Sequence, residues 1–243
     1  MTVFKEQWKL IKSEQIALKI VTLFIKSINK MKSNYFSADD ILNMESKNRA
    51  AFINSLTGFK SASLIGTIDN SAKTNLSIFS SVTHLGSNPA LIGFINRPDS
   101  VERHTLENIL ETKYFTINHI NKNIYKAAHQ TAARYPKDIS EFEATGLTPQ
   151  FNKTFRAPYV KESYIKYGLE YLEKHELVIN GTILVIGRVV EVILPEVSVM
   201  IDGSIDIEKA ETIAISGLDS YHLTNRIARL SYAKPDKIAS DII

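Results

Sequence analysis

Asn75, Ser77 and Ser81 are residues whose types and spacing could do chemistry. In an extended strand from Thr74 to His84 they share one face with Phe79, while Leu76, Ile78, Ser80 and Val82 share the other. The first face carries a carboxamide, two small hydroxyls and one aromatic ring. Such a surface lets a flat, polar-edged ring approach the backbone and hydrogen-bond to short side chains. The same alternation also describes a half-buried strand with a solvated face. A second concentration of functional groups follows at Arg97, Arg103, His104 and Thr105. Asp99 and Glu102 have capping-box spacing, and Thr105 is a second candidate cap. A helix start beside several cations offers N–H groups and a partial positive charge to a phosphate. A capped surface helix with scattered charges fits the same residues.

The chain has no self-contained acid–base machine. It lacks the Gly-x-Gly-x-x-Gly fingerprint, the P-loop and the Gly-x-Ser-x-Gly elbow. Cysteine is absent, which excludes disulfides, thiolate metal sites and cysteine nucleophiles. The histidines (His84, His104, His119, His129, His175, His222) show no metal-ligand spacing and are read as structural or solvated, with His104 placed for an anion. Glu141 and Glu143 read as a solvated helix face. Redox or transfer chemistry would then belong to a bound cofactor.

The elements that must position these groups follow from periodicity. Residues 4–30 lack Gly and Pro, and Trp8, Ile11 and Leu18 recur at helical spacing among lysines. This basic helix could lie on a membrane surface or a partner, or dock on its own domain. Ser37-Ala38-Asp39-Asp40 opens a second helix, and residues 46–55 form a third. Strands are expected at 61–67, 74–84, 90–95 and 114–119, and helices at 122–133 and, as one turn, 140–144. Longer strands begin at Ala157, and 182–194 is the strongest β segment, with Gly187 marking a bulge or bend. Residues 213–215 are a last short strand, and the polar segment beyond Tyr232 is expected to be mobile. The strands cluster instead of alternating with helices. That order suits a mainly β, α+β fold, an antiparallel barrel with peripheral helices.

The bulk properties are those of an ordinary globular protein: 243 residues, 44% apolar and 23% charged. The net charge of +3 is uneven. Residues 1–32 carry seven lysines and two glutamates, whereas the remainder is slightly acidic and shows no nucleic-acid footprint. No apolar run of membrane-spanning length is present, and no cleavage site follows Ile16–Ile25. The absence of cysteine fits a reducing cytoplasm.

Several stretches together resemble the flavin reductase-like family, whose fold is an FMN-binding split barrel. They are Gly58 to Thr67, Thr74 to His84, Gly86 to Ile95 with Arg97-Pro98, His104 to Ile109, Ser140 to Glu143, Ala157 to Ser163 and Gly217 to Tyr221. The resemblance implies a split-barrel domain over 31–235, a basic extension at 1–30 and a flexible tail at 236–243. It implies flavin contacts from Asn75, Ser77, Ser80 and Ser81, bordered by Lys60 and Ser61, with the phosphate held by Arg97, His104, Thr105 and Asn108. Ser80 lies on the opposite strand face from the others, so its contact requires the strand to bend or end there. The resemblance further implies FMN, with FAD as the alternative, NADH or NADPH as electron donor, a hydride passed to flavin N5, and a homodimer. A flavin-dependent monooxygenase or another acceptor would receive the electrons. A flavin-binding electron carrier or sensor without nicotinamide oxidation is the alternative function. A role in membrane or nucleic-acid association through residues 1–32 is a third.

Overall fold

The computed structural model describes residues 33–98 and 104–242. The helix expected over 4–30, the Asp99/Glu102 capping box and Arg103 lie outside them. The chain divides into two compact units, 1–49 and 50–243. In the first, Ser37 caps α1 (Ala38–Asn43): Asp40 N–H donates to Ser37 Oγ at 3.1 Å, and Ser37 N–H donates to the Asp40 carboxylate at 2.8 Å. Ser37 Oγ also donates to that carboxylate at 2.6 Å, and the two bonds from the Ser37 hydroxyl and N–H hold the Asp40 carboxyl below its usual pKa. Helix α2 (Ser46–Leu56) follows and runs into the second unit.

The second unit is built on a seven-stranded antiparallel sheet. Its strands in chain order are β2 (Ser63–Ile68), β3 (Thr74–Phe79), β4 (Thr83–Ser87), β5 (Ala90–Asn96), β6 (Tyr114–His119), β9 (Lys166–Leu177) and β10 (Thr182–Ile193). In space they run β3-β2-β6-β9-β10-β5-β4. The strand expected over 74–84 is therefore two strands that stand at opposite edges of one sheet. Seven strands laid flat would set those edges about 29 Å apart. The chain from Phe79 to Thr83 can reach only about 14 Å. The sheet must curl to bring its edges together, which is why this order makes a barrel and not an open sheet. Ser81 fastens the junction: its Oγ donates to Ile95 O (3.1 Å) and accepts from Ile95 N–H (3.0 Å).

The two faces of the sheet carry separate apolar clusters. Leu64 of β2 packs with Leu76, Ile120, Phe142 and Val160, and the next residue, Ile65, packs with Phe94, Phe115, Ile117 and Leu169. That alternation is the period of a strand buried on both sides. Helix α3 (His104–Thr112) adds Leu106 and Ile109 to the second cluster. Phe94 stands edge-on to Phe79 (4.9 Å) and to Phe115 (5.7 Å). Outside the sheet a hairpin of β7 (Pro149–Asn152) and β8 (Phe155–Val160) packs closely. Thr116 Oγ1 donates to Pro158 O at 2.6 Å, and Val160 N–H donates to Asn118 Oδ1 at 2.9 Å. Gly66 lets β8 approach this near: a Cβ there would lie 2.3 Å from Pro158 O and 2.7 Å from Thr116 Oγ1. A small sheet of β1 (Lys60–Ser61), β11 (Ala214–Ser216) and β12 (Ser220–His222) completes the set.

Some expectations shift. The register of β9 against β10 slips between Ile186 and Gly187, the bulge that Gly187 signalled. The helix expected over 122–133 is reduced to α4 (Tyr125–Gln130). A short α5 (Glu141–Thr145) follows, close to the turn expected at 140–144. Strand β9 is the largest element that periodicity did not single out. The segment beyond Tyr232 folds back onto Leu230 and Ser231 through a Leu230–Asp241 bridge and a Ser231 N–H to Ser240 O bond of 2.8 Å. Among the described residues no helix is long and apolar enough to cross a membrane.

His119, at the end of β6, gives the fold a pH dependence. Burial depresses its pKa from 6.5 to about 4, so the folded protein keeps the ring neutral where the unfolded chain protonates it. Its contribution is complete above pH 6.5 and is lost as pH falls toward 4, by about 3 kcal/mol. Urea unfolding should show the protein losing that much stability relative to His119→Gln between pH 7 and pH 4. A constant difference between the two would contradict the assignment.

Candidate functional site

A cleft of about 830 Å³ opens along β3. Among the described residues β3 is an edge strand, paired only with β2. Hydrogen-bonded and non-hydrogen-bonded positions alternate along an antiparallel pair. Leu76 N–H points outward, because it donates to Glu141 Oε2 at 3.0 Å. By the same alternation the N–H and C=O of Ile78 also point outward, and Ile78 lines the cleft. An edge strand thus offers a donor and an acceptor to a ligand, with one donor already capped by Glu141.

Asn75 stands at the head of this strand in a buried polar network. Its Nδ2 donates to Thr67 Oγ1 (3.2 Å) and to Thr105 Oγ1 (3.0 Å), while Asn108 Nδ2 donates to Thr67 Oγ1 (3.1 Å). Thr105 accepts from Asn75, so its hydroxyl proton is available to an acceptor in the cleft. Arg97, just after β5, and His104, the first residue of α3, line the same region. The result is a corner of one hydroxyl donor and two basic side chains, with Thr105 oriented from behind, a set whose chemistry suits an anion. Ser77 and Ser80 line the cleft between this corner and the junction with β4.

The structure places the expected site residues in two groups. Asn75, Ser77, Ser80, Ser81, Arg97, His104 and Thr105 all line the cleft. Ser80 can do so because β3 ends at Phe79. The hydroxyl of Ser81 is already shared with Ile95, so its role there is to hold the junction. Lys60, Ser61 and Asn108 are not on the cleft wall. Lys60 Nζ donates to Gly217 O (2.8 Å) and Asn54 O (3.2 Å), and burial lowers its pKa. Ser61 Oγ donates to Val82 O at 3.2 Å. Asn108 acts one layer back, through Thr67.

Glu141, His129 and Tyr221 are among the wall residues that were not expected at the site. Glu141 is no solvated helix face: it is 7% exposed, and only Glu143 is open to solvent. Burial pushes its carboxyl above the usual pKa, against the Leu76 N–H bond and the nearby His104. Its spacing from Glu143 carried no sign of this, because the burial arises from capping a distant strand edge. Replacing Glu141 by Ala should cost about 1–3 kcal/mol in urea unfolding, since Leu76 N–H loses its partner, whereas Glu141→Gln should recover most of it. Equal stability of both variants would rule out the capping role. His129 and Tyr221 make up a third part of the wall. His129 Nδ1 and Tyr221 Oη are 2.9 Å apart, although 92 residues separate them in sequence.

Comparison with known proteins places this geometry. A split-barrel-domain protein of Shewanella frigidimarina NCIMB 400, assigned as a flavin reductase, is 55% identical, with a TM-score of 0.80 over 83% of this chain and 100% of that one. Nitrilotriacetate monooxygenase component B of Bacillus cereus shares the fold at 21% identity, with a TM-score of 0.71 over 82% of this chain and 100% of that one. An FMN-binding protein of Thermus thermophilus shares it at 18% identity, with a TM-score of 0.60 over 79% of this chain and 95% of that one. The flavin reductase like domain matches residues 59–203, and the chain belongs to that family.

Proposed function

We propose that the cleft binds FMN and that the protein is a flavin reductase-type oxidoreductase drawing electrons from NADH or NADPH. The observation that carries this is the joining, in one cleft, of an open strand edge and an anion-binding corner. The outward N–H and C=O of Ile78 suit the alternating donors and acceptors of a flavin ring edge. Ser77 and Ser80 would reach the ring or its ribityl hydroxyls. Thr105, Arg97 and His104 would hold the phosphate, with Asn75 and Asn108 keeping Thr105 in place. A volume of about 830 Å³ lies within the range of ligand clefts. Membership of the flavin reductase like family and the FMN-binding Thermus relative support the cofactor.

Bound FMN would supply the hydride chemistry, which no side chain of this cleft can perform. The chain's part is to fix the ring against β3, neutralise the phosphate and shield one side of the ring from water. The monooxygenase component among its structural relatives supports passage of the electrons to a partner oxygenase. Pairing of two copies of the chain belongs to the same proposal. Anaerobic mixing of FMN-loaded protein with NADH and with NADPH tests the activity: loss of the yellow absorption at catalytic rates is expected with at least one. Slow bleaching with both would leave a flavin-binding electron carrier instead.

A further inference from the structure

Tyr221 and His129 are left without a role by the FMN proposal, which uses β3, the β5 end and α3. They belong to a different wall of the cleft, made by α4 and β12, with Ile215 and Leu218 beside them. The Tyr221 ring is held in place. It packs against the cluster containing Ile213 and Ile215, lies 5.6 Å from the Tyr125 ring, and meets the His129 ring at 5.8 Å and 86°. Its hydroxyl has His129 Nδ1 as hydrogen-bond partner at 2.9 Å. Burial, reinforced by Asp219, pushes the Tyr221 pKa up to about 12, so the hydroxyl stays protonated at neutral pH.

A neutral histidine bonded to a tyrosine hydroxyl can act in either sense. When Nδ1 carries the proton, it donates to the Tyr221 oxygen, and the Tyr221 proton points to an acceptor in the cleft. When Nδ1 is bare, Tyr221 donates to it and can only accept. His129 is exposed, so its ring can take whichever tautomer a ligand selects. Phosphates are served by the basic corner. A rigid neutral donor among aromatic and aliphatic side chains suits a neutral carbonyl on a flat ring.

We propose that the Tyr221 hydroxyl, oriented by His129, is the recognition point for a ring-borne carbonyl oxygen on a second ligand entering the cleft beside the flavin. This rests on the FMN proposal. Two sources supply that chemistry: the carboxamide of a nicotinamide electron donor, and the carbonyl of a quinone-type electron acceptor.

The test uses FMN-loaded protein, Tyr221→Phe and His129→Ala, with NAD⁺, NADP⁺ and menadione as probes. Dissociation constants are read from perturbation of the flavin spectrum. The phenylalanine keeps the ring packing and removes only the hydroxyl. At least one probe is expected to bind about tenfold more weakly to Tyr221→Phe, the size of one lost neutral hydrogen bond. His129→Ala should weaken the same probe, and FMN affinity should stay within about twofold. An effect on the pyridine dinucleotides assigns the donor, and one on menadione assigns the acceptor. Unchanged probe affinities in Tyr221→Phe, or no probe binding to the FMN-loaded protein, would overturn this proposal alone. Failure of FMN to bind the unaltered protein would overturn the proposed function as well.

Discussion

Asn75→Ala is expected to weaken FMN binding by about tenfold. The variant removes one donor from two acceptors at once. Thr105 loses the bond that holds its hydroxyl oxygen, and Thr67 keeps only Asn108. These two bonds are lost from the free and the FMN-bound protein alike, so their energy falls on stability and not on affinity. Affinity falls because a phosphate donor is no longer held in position, which costs up to the bond it makes, about 1.4 kcal/mol or a factor of 10. Fluorescence titration of FMN reads it. Thr105→Val, which keeps the shape but lacks the hydroxyl, should lose about tenfold by the same measure. Wild-type affinity in both variants would remove the network from the cofactor site.

Gly66→Ala should be the most damaging change to the fold. The added Cβ would lie 2.3 Å from a backbone oxygen of β8 and 2.7 Å from the hydroxyl bonded to that oxygen. Neither can give way without moving β8, which is pinned again at Val160. Overpacking of this kind costs about 3 kcal/mol or more. Thermal or urea unfolding should show that loss, and a change below about 0.5 kcal/mol would mean that β8 packs less tightly than described.

Much of the barrel is written in local alternation. The switch from Leu64 to Ile65, the length of β10 and the bulge at Gly187 are all visible in residue order. Strand β9 is not. Its outer half, Leu172 to Leu177, is exposed on both faces and carries Glu173, Lys174 and Glu176, so no apolar period survives to mark it. The break at Ser80 was legible only as a condition: a regular strand cannot turn both Ser77 and Ser80 into one cleft. The structure meets that condition by ending β3 at Phe79.

The candidate site divides along the same line. Asn75 and Ser77 share one local pattern and Thr105 belongs to another, so strand-face polarity and helix-start chemistry pointed to them. Glu141, His129 and Tyr221 gain their places through contacts over 65 and 92 residues. No spacing rule reaches that far. Lys60, a cation near the same strand, is bound to the carbonyls of Asn54 and Gly217, partners that no local pattern announces.

The central claim is that one cleft holds an FMN molecule by its phosphate and ring edge. Titration of flavin-free protein with FMN, followed by isothermal calorimetry and repeated with riboflavin, tests it most directly. One FMN per chain is expected, with riboflavin at least tenfold weaker because it lacks the phosphate met by Thr105, Arg97 and His104. No binding of FMN, or equal affinity for riboflavin, would contradict the account.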